Sequence, residues 1–178
     1  QDRQAQLLRQ QRRVVRIDGS VRWVTARGKF YYDADNTAIR MLGMASDITQ
    51  RKQAEATLRE SEERFRLVAN TAPIMIWMSG VDMQCTYVNR PWLEFTGRSL
   101  EEELGNGWAE GIHPEDAARC MEVYAAAFDR RVPFEMEYRL RRYDGLYRWI
   151  FDQGVPRFHA DRSFAGYIGS GIDITERK

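Results

Sequence analysis

Residues 143–178, YDGLYRWIFDQGVPRFHADRSFAGYIGSGIDITERK, repeat the pattern of residues 17–52, IDGSVRWVTARGKFYYDADNTAIRMLGMASDITQRK. Each residue of the first segment aligns without a gap to the residue 126 positions later, and 13 of the 36 aligned pairs are identical. The identities include an Asp-Gly turn, an Arg-Trp pair and a closing Asp-Ile-Thr triplet. A period of this length is the size of one domain. The sequence therefore predicts one full domain preceded by the closing part of a similar one.

The composition narrows the classes of partner. With 27 basic and 26 acidic side chains the chain has no net field that would attract nucleic acid or an anionic membrane. No apolar run approaches the roughly 18 residues that span a bilayer, and no signal peptide is visible, so we expect no direct membrane contact. Cys85 and Cys120 are too few for a disulfide framework, and we expect reduced thiols in a cytoplasmic protein.

Residues 50–70 predict a helix, because they are charged, rich in helix formers and free of Gly and Pro. Thr49 is expected to cap its start by accepting a free backbone N–H. A seam with the 4-3-4-3 spacing of a coiled coil consists of Ala54, Leu58, Ser61, Phe65 and Val68. Two interpretations stay open: a surface helix on its own domain, or a parallel dimer helix that joins two domains.

The rest of the chain alternates short helices and strands. Residues 74–78 and 85–88 predict a hairpin, and Asn89 and Gly97 bound a short helix. His113-Pro114 begins the main helix, because proline suits the first helical position. Residues 134–141 alternate apolar and charged side chains, which predicts a strand with one buried face, and two more strands follow. This order favours an α+β domain with an antiparallel sheet and helices on one face.

Several short motifs, in this order and spacing, resemble the PAS sensory domain family with its C-terminal PAC segment. They are Ser61-Glu62-Glu63-Arg64-Phe65, Tyr87-Val88-Asn89, Phe95-Thr96-Gly97, His113-Pro114-Glu115-Asp116, Tyr138-Arg139-Leu140, Asp144-Gly145, Arg148-Trp149 and Asp173-Ile174-Thr175-Glu176-Arg177-Lys178. The resemblance implies a PAS-like five-stranded antiparallel sheet whose helices enclose a pocket. We expect residues 1–49 to be the three-strand end of a preceding PAS domain, residues 50–70 a linker helix, and residues 71–178 the complete domain.

The family resemblance implies an input module of a cytoplasmic signalling protein, most often a sensor histidine kinase, with the effector domain farther along the parent chain. Diguanylate cyclases and phosphodiesterases use the same modules, and fold analogy cannot choose among these outputs. No phosphate-binding loop, nucleophile elbow or metal-binding motif is present in the sequence. We therefore expect no catalytic residue and no metal site in this chain. A module that only dimerises or spaces other domains is the alternative.

The cofactor expectations follow from the family's known branches. The flavin-binding branch uses a cysteine in an N-C-R-F-L-Q-like helix, and neither Cys85 nor Cys120 matches that motif. The haem-binding branch uses a histidine on the long helix, whereas His113 stands at the start of that helix, where capping explains it. We expect neither flavin nor haem, and at most an unidentified small organic ligand.

A ligand would lie between the inner face of the sheet and the helix opposite. The candidate lining residues are Ile76, Met78, Tyr87, Trp92, Phe95, Trp108, Tyr124, Met136, Tyr138 and Ile168. Aromatic and sulfur-containing side chains suit a flat or apolar ligand. The alternative for each residue is an ordinary filled core, and a cavity too small for a cluster of waters would argue against a ligand.

The repeated Asp-Ile-Thr triplet predicts a joint between the last strand and an outgoing helix. Asp173 is expected to hold the strand end, with Arg148 as one candidate partner, and Thr175 to cap the helix. Asp47 and Thr49 are the matching residues of the first copy. A homodimer formed through the linker helix and the PAS surfaces would carry motion of this joint onward.

Overall fold

The computed structural model describes the backbone of residues 7–178 and the side chains of residues 9–178. It divides into two compact units, one ending at Arg64 and the other spanning Phe65–Lys178. No helix in this described part of the chain is both long and apolar enough to cross a membrane.

The first unit is a three-stranded antiparallel sheet followed by a helix. Strands β1 (Leu7–Val15), β2 (Val21–Tyr32) and β3 (Ala38–Asp47) pair in the order β1-β2-β3. Helix α1 spans Thr49–Thr71 and continues into the second unit. Exposed ion pairs one turn apart support this helix, such as Arg59–Glu63 at 2.9 Å.

The second unit has the predicted α+β architecture. After α1 its elements are β4 (Met75–Ser79), β5 (Cys85–Val88), α2 (Arg90–Thr96), α3 (Leu100–Glu103), a 3-10 helix (Gly107–Gly111), α4 (Pro114–Arg130), β6 (Phe134–Arg141), β7 (Tyr147–Phe158), β8 (Phe164–Asp173) and a 3-10 turn (Thr175–Arg177). The five strands form one antiparallel sheet in the order β5-β4-β8-β7-β6. The sequence predicted this five-stranded sheet, and the structure confirms it.

Local signals in the sequence set the ends of the helices in the second unit. The Asn89 side chain accepts the backbone N–H of Trp92 at the start of α2, and Gly97 ends that helix in the left-handed region with φ +70°. The His113 side chain accepts the N–H of Glu115 at the start of α4, with Pro114 at its first position. The capping roles of Asn89 and His113 are therefore confirmed.

The repeat in the sequence is also a repeat in strand register. Strands β2 and β3 have the same bounds as β7 and β8 when 126 is added to each number. Gly28 pairs with Leu8 on one side and Gly43 on the other, just as Gly154 pairs with Phe134 and Gly169. The repeated segment is thus the closing part of a three-strand meander in both units.

The core of the second unit lies between the inner face of the sheet and α4. The predicted alternation in β6 is confirmed, since its apolar side chains are buried and its charged ones lie on the other face. Tyr124 of α4 is at the centre of this core, with its ring centroid 5.8 Å from those of Trp77 and Tyr167 in edge-on contacts. The helix therefore packs on the sheet mainly through aromatic rings.

The seam predicted along α1 is exposed in this single chain. Its members are Ala54, Leu58, Ser61, Phe65 and Val68, all of them exposed to solvent. An exposed seam does not distinguish a surface helix from a dimer helix. The coiled-coil interpretation stays a prediction.

Candidate functional site

A small cavity lies in the core of the second unit. Its volume is about 20 Å³, which is the space of about one water molecule. The residues that line it are Trp77, Ser79, Met83, Cys85, Val88, Trp92, Trp108, Tyr124, Phe134, Met136 and Asp152. We expected a cavity too small for a cluster of waters to argue against a ligand. A cavity of this size therefore argues against a resident organic ligand in this conformation.

The structure brings four of the ten predicted lining residues to this cavity: Trp92, Trp108, Tyr124 and Met136. Tyr138 is fully buried beside it, where its hydroxyl bonds to Asp152, and Phe95 packs against the surrounding core. The other four lie elsewhere, for the reasons that follow.

The prediction for Ile76, Met78 and Ile168 was wrong, because the inward and outward positions of their strands were assigned one residue out of phase. In β4 the buried side chains are Met75, Trp77 and Ser79, and in β8 Tyr167 points inward. A one-residue shift places a strand's side chains on the opposite face of the sheet. Tyr87 also lies outside the cavity, since its ring packs on Phe65 at 5.7 Å.

Asp152 also lines the cavity, and the sequence analysis did not single it out. It is 2% exposed and accepts hydrogen bonds from the Trp77 indole N–H at 2.9 Å and the Tyr138 hydroxyl at 3.2 Å. Burial disfavours the charged form and raises the pKa of Asp152 to about 7, although the two hydrogen bonds act in the opposite direction. Alternation along β7 between Ile150 and Gly154 would have revealed an inward-facing carboxyl.

A second set of hydrogen bonds, centred on the Ser79 hydroxyl, lies in the core beside the cavity. The Tyr124 hydroxyl and the backbone N–H of Tyr167 both donate to Ser79 Oγ, at 2.7 Å and 3.2 Å. Burial raises the pKa of Tyr124 to about 12, so this hydroxyl stays protonated. The bond ties α4 to β4 and β8 across the core.

Both thiols are free and buried in apolar surroundings. Burial raises the pKa of Cys85 and of Cys120 to about 11. Because the thiolate is the reactive form, burial and the raised pKa both disfavour reaction of these thiols in the folded state. Among the described residues no group of three His, Cys, Asp or Glu side chains is arranged to hold a metal ion.

The end of β8 forms a compact joint with β7. The Asp173 carboxylate accepts the backbone N–H of Thr175 at 2.9 Å and lies 3.9 Å from the Arg148 guanidinium. The Thr175 hydroxyl accepts the backbone N–H of Trp149 at 2.9 Å, and the Lys178 ammonium lies 5.1 Å from the Trp149 ring centroid. Thr175 and Lys178 thus fasten the outgoing segment to β7, and the Lys178 ammonium also pairs with Glu137 of β6.

The first unit has the same joint. Asp47 accepts the N–H of Thr49 at 2.8 Å, and the Thr49 hydroxyl accepts the N–H of Trp23 at 2.8 Å. Arg22 lies 3.8 Å from Asp47, and Lys52 lies 5.7 Å from the Trp23 ring centroid. The expectation that Thr49 and Thr175 cap helices was therefore wrong. Each hydroxyl accepts a backbone N–H from a neighbouring strand, and the aspartate two residues earlier accepts the backbone N–H of the threonine itself.

Comparison with known proteins agrees with this geometry. Residues 86–170 match the family model described as the PAS fold. The second unit is a PAS domain. The PAS domain of a protein from Colwellia psychrerythraea has the same fold, with a TM-score of 0.56 and 20% identity over 65% of this chain and 98% of that chain.

Two curated relatives match almost the whole chain. The uncharacterized protein y4lL of Sinorhizobium fredii is 40% identical over 93% of this chain and 20% of its own length. The peroxide stress-activated histidine kinase mak1 of Schizosaccharomyces pombe is 26% identical over 93% of this chain and 11% of its own length. The chain therefore spans a fifth or less of these relatives. The chain is thus similar to a segment of a histidine kinase.

Proposed function

We propose that this PAS domain relays a conformational signal within a multidomain histidine kinase of the cytoplasm, and that it works without a resident organic ligand. The joint between β7 and the segment after β8 is the observation that carries the proposal. It repeats residue for residue in the first unit, where the outgoing segment continues as α1. A rigid joint at both exits suits a chain that passes motion from one domain to the next.

The domain organisation belongs to the same proposal. Residues 1–49 would close a preceding PAS domain, residues 50–70 would link the two, and residues 71–178 would form the complete domain. The identical strand registers of the two meanders support this assignment. The exposed seam of α1 would pair with the same helix of a second copy, which would make the linker a dimer helix.

The size of the cavity favours the ligand-free alternative over the sensing of a small molecule. Space for about one water cannot hold an organic ligand, because a drug-sized ligand needs a pocket of about 300 Å³ or more. The mak1 relative is named for activation by peroxide stress, but both thiols of this chain are buried and protonated. Direct oxidation of Cys85 or Cys120 is therefore not part of the proposal.

Native mass spectrometry tests the absence of a ligand. We expect the purified chain, extracted without denaturant, to have the mass of the polypeptide alone or of its dimer. A bound organic mass that disappears on denaturation would contradict the ligand-free proposal. Flavin and haem would also appear as absorption bands in the visible spectrum.

The relay is tested by Asp173→Ala in the full-length protein. We expect its autophosphorylation rate to change by about fivefold or more, because the Thr175 backbone N–H loses its acceptor and the contact to Arg148 is lost. The melting temperature of the domain should stay within a few degrees of the wild type, since Asp173 is exposed.

Asp161→Ala is the matched control, because Asp161 also accepts a backbone N–H, that of Ser163, but in the turn between β7 and β8. Thr175→Val should reproduce the effect of Asp173→Ala, since it removes only the hydroxyl that accepts the Trp149 N–H. Wild-type output from both Asp173→Ala and Thr175→Val would refute the relay.

A further inference from the structure

The buried carboxyl of Asp152 connects three strands of the sheet. Asp152 lies on β7, Trp77 on β4 and Tyr138 on β6, and one carboxyl oxygen bonds to each partner. In the sheet order β8 separates β4 from β7, so the Trp77 indole must cross β8 to reach the carboxyl. Gly169 of β8 makes this possible, because a Cβ there would lie 2.3 Å from the indole ring.

In the described part of the chain no cationic side chain is paired with this carboxyl. The groups that face it are the Trp77 indole from β4, the Tyr138 hydroxyl from β6, and Cys120 and Tyr124 from α4. The charged side chains acting on those neighbours are Asp116, Arg119 and Glu103. Across the described residues no Lys or Arg forms an ion pair with Asp152. An unpaired buried charge is costly, so the carboxyl favours the protonated form until the pH approaches neutrality.

The first unit shows that the meander forms without this group. Ala26 is the residue that matches Asp152, at the same place in an identical register, and Arg12 matches Tyr138. The carboxyl is therefore not a requirement of the three-strand meander. An acid placed in the core at the expense of stability is the kind of group that titrates near neutral pH.

The cavity beside Asp152 could hydrate the charged form. The indole N–H of Trp92, which lines the cavity, has no acceptor among the described residues. Ser79 and Tyr124 also line it, and only one of their two hydroxyl hydrogens is used in the bond between them. A single water in about 20 Å³ could accept from one of these donors and donate to the carboxylate.

We propose that Asp152 is a proton-binding site of the PAS domain, at which loss of the proton leaves an unbalanced charge buried between β4, β7 and β6 and so destabilises the folded sheet. The protonated carboxyl is neutral and lies in a dry core, whereas the carboxylate accepts stronger hydrogen bonds from Trp77 and Tyr138 but carries a buried charge. The released proton goes to solvent, and the remaining carboxylate recruits a water into the cavity. Ionisation would also affect the joint at the end of β8, since Asp152 and Trp149 both lie on β7. This consequence, unlike the site itself, rests on the proposed relay.

The sign of the pH dependence follows from the raised pKa. The pKa of Asp152 is about 7 in the folded chain and near the ordinary 3.8 in the unfolded chain. Between these values the folded state binds the extra proton, so stability is greatest at the acidic side and falls as the pH rises toward 7. Asp116 and Asp144, with pKa values lowered to about 2, act in the opposite direction and only below about pH 4.

Carbon-13 NMR of the aspartate carboxyls of the 178-residue chain tests the site. We expect one carboxyl carbon to titrate with a midpoint near pH 7, and this signal to be absent in Asp152→Asn and retained in Asp161→Asn. If every aspartate carboxyl is fully ionised by pH 5, the proposal is wrong. This result would leave the relay untouched, because the relay is tested by Asp173→Ala at constant pH.

Urea unfolding provides an independent measurement. The unfolding constant of the wild type should rise by up to about tenfold per pH unit between pH 5 and 7 relative to that of Asp152→Asn, the neutral isostere. At pH 8 the variant should then have an unfolding constant at least about tenfold lower than the wild type. Parallel pH profiles of the two proteins would overturn the proposal. If the variant does not fold, the NMR titration of the wild type alone decides.

Discussion

Gly169→Ala is expected to destabilise the PAS domain by about 3 kcal/mol or more, the upper range for overpacking a tight core. A Cβ at this position would lie 2.3 Å from two indole carbons of Trp77 and 2.5 Å from the backbone oxygen of Gln153. The indole donates a hydrogen bond to Asp152 and the oxygen belongs to the neighbouring strand. Moving either group aside would therefore break contacts that stabilise the sheet. Urea unfolding followed by tryptophan fluorescence measures the loss.

Gly171→Ala is the matched control for this prediction. Gly171 lies on the same strand and the same face, but its Cβ would first meet Ile150 at 3.1 Å and the flexible end of Met75 at 3.3 Å. We expect a clearly smaller loss, of about 1 kcal/mol. Equal losses for Gly169→Ala and Gly171→Ala would show that the Trp77 crossing is not the feature that requires glycine.

The same reasoning explains the glycine pair found in both copies of the repeat. Gly154 and Gly169 face each other on β7 and β8, and Gly28 and Gly43 do so on β2 and β3. A Cβ at Gly154 would lie 2.3 Å from the Phe134 ring, and one at Gly28 would lie 2.4 Å from the Met41 side chain. In each unit a large side chain lies over the glycine of the middle strand, Phe134 over Gly154 and Met41 over Gly28.

The sequence predicted the elements whose pattern has one clear period. Strand β6 alternates four apolar and four charged residues, so its buried face could be assigned without the structure. The repeat was equally informative, because an Asp-Gly turn and an Asp-Ile-Thr triplet recur at a constant offset. Both features depend only on local chemistry, and the structure confirms the α+β sheet they predicted.

Which side chains of β4 and β8 face the core could not be predicted in the same way. Four of the five residues of β4 are apolar, and β8 mixes glycine with large apolar residues on both faces. Such strands contain no polar face that would set the inward positions. The bulge between Met78 and Ser79 shifts the pairing further. Hence Ile76, Met78 and Ile168 were assigned to the wrong face, and Trp77 was missed.

The threonines of the two joints show a different limit of sequence reading. A threonine before a helix is a good cap by local propensity, yet its hydroxyl can serve only one N–H donor. In both units the adjacent strand supplies that donor through the Arg-Trp pair, which is 26 residues away in the chain. The aspartate two residues earlier is free to bind the N–H of the threonine. Tertiary structure decided between two roles that the sequence allows equally.

Tyr124→Ala is expected to destabilise the PAS domain by about 3–5 kcal/mol and to create a binding site for phenol. The Tyr124 ring packs between α4 and the sheet and borders the existing cavity. Removing a large buried ring costs its burial energy and leaves a void that the surrounding core fills only partly. Such a void beside apolar walls binds small aromatic molecules, so phenol should raise the melting temperature of the variant.

Tyr124→Phe separates the ring from its hydroxyl. This variant loses only the hydrogen bond to Ser79, at a cost of about 1 kcal/mol, and keeps the core filled. We expect neither it nor the wild type to be stabilised by phenol at concentrations that stabilise Tyr124→Ala. A wild-type response equal to that of Tyr124→Ala would mean that the native cavity already opens to aromatic molecules. The domain would then be a ligand sensor, because the closed core of about 20 Å³ would be only one of its accessible states.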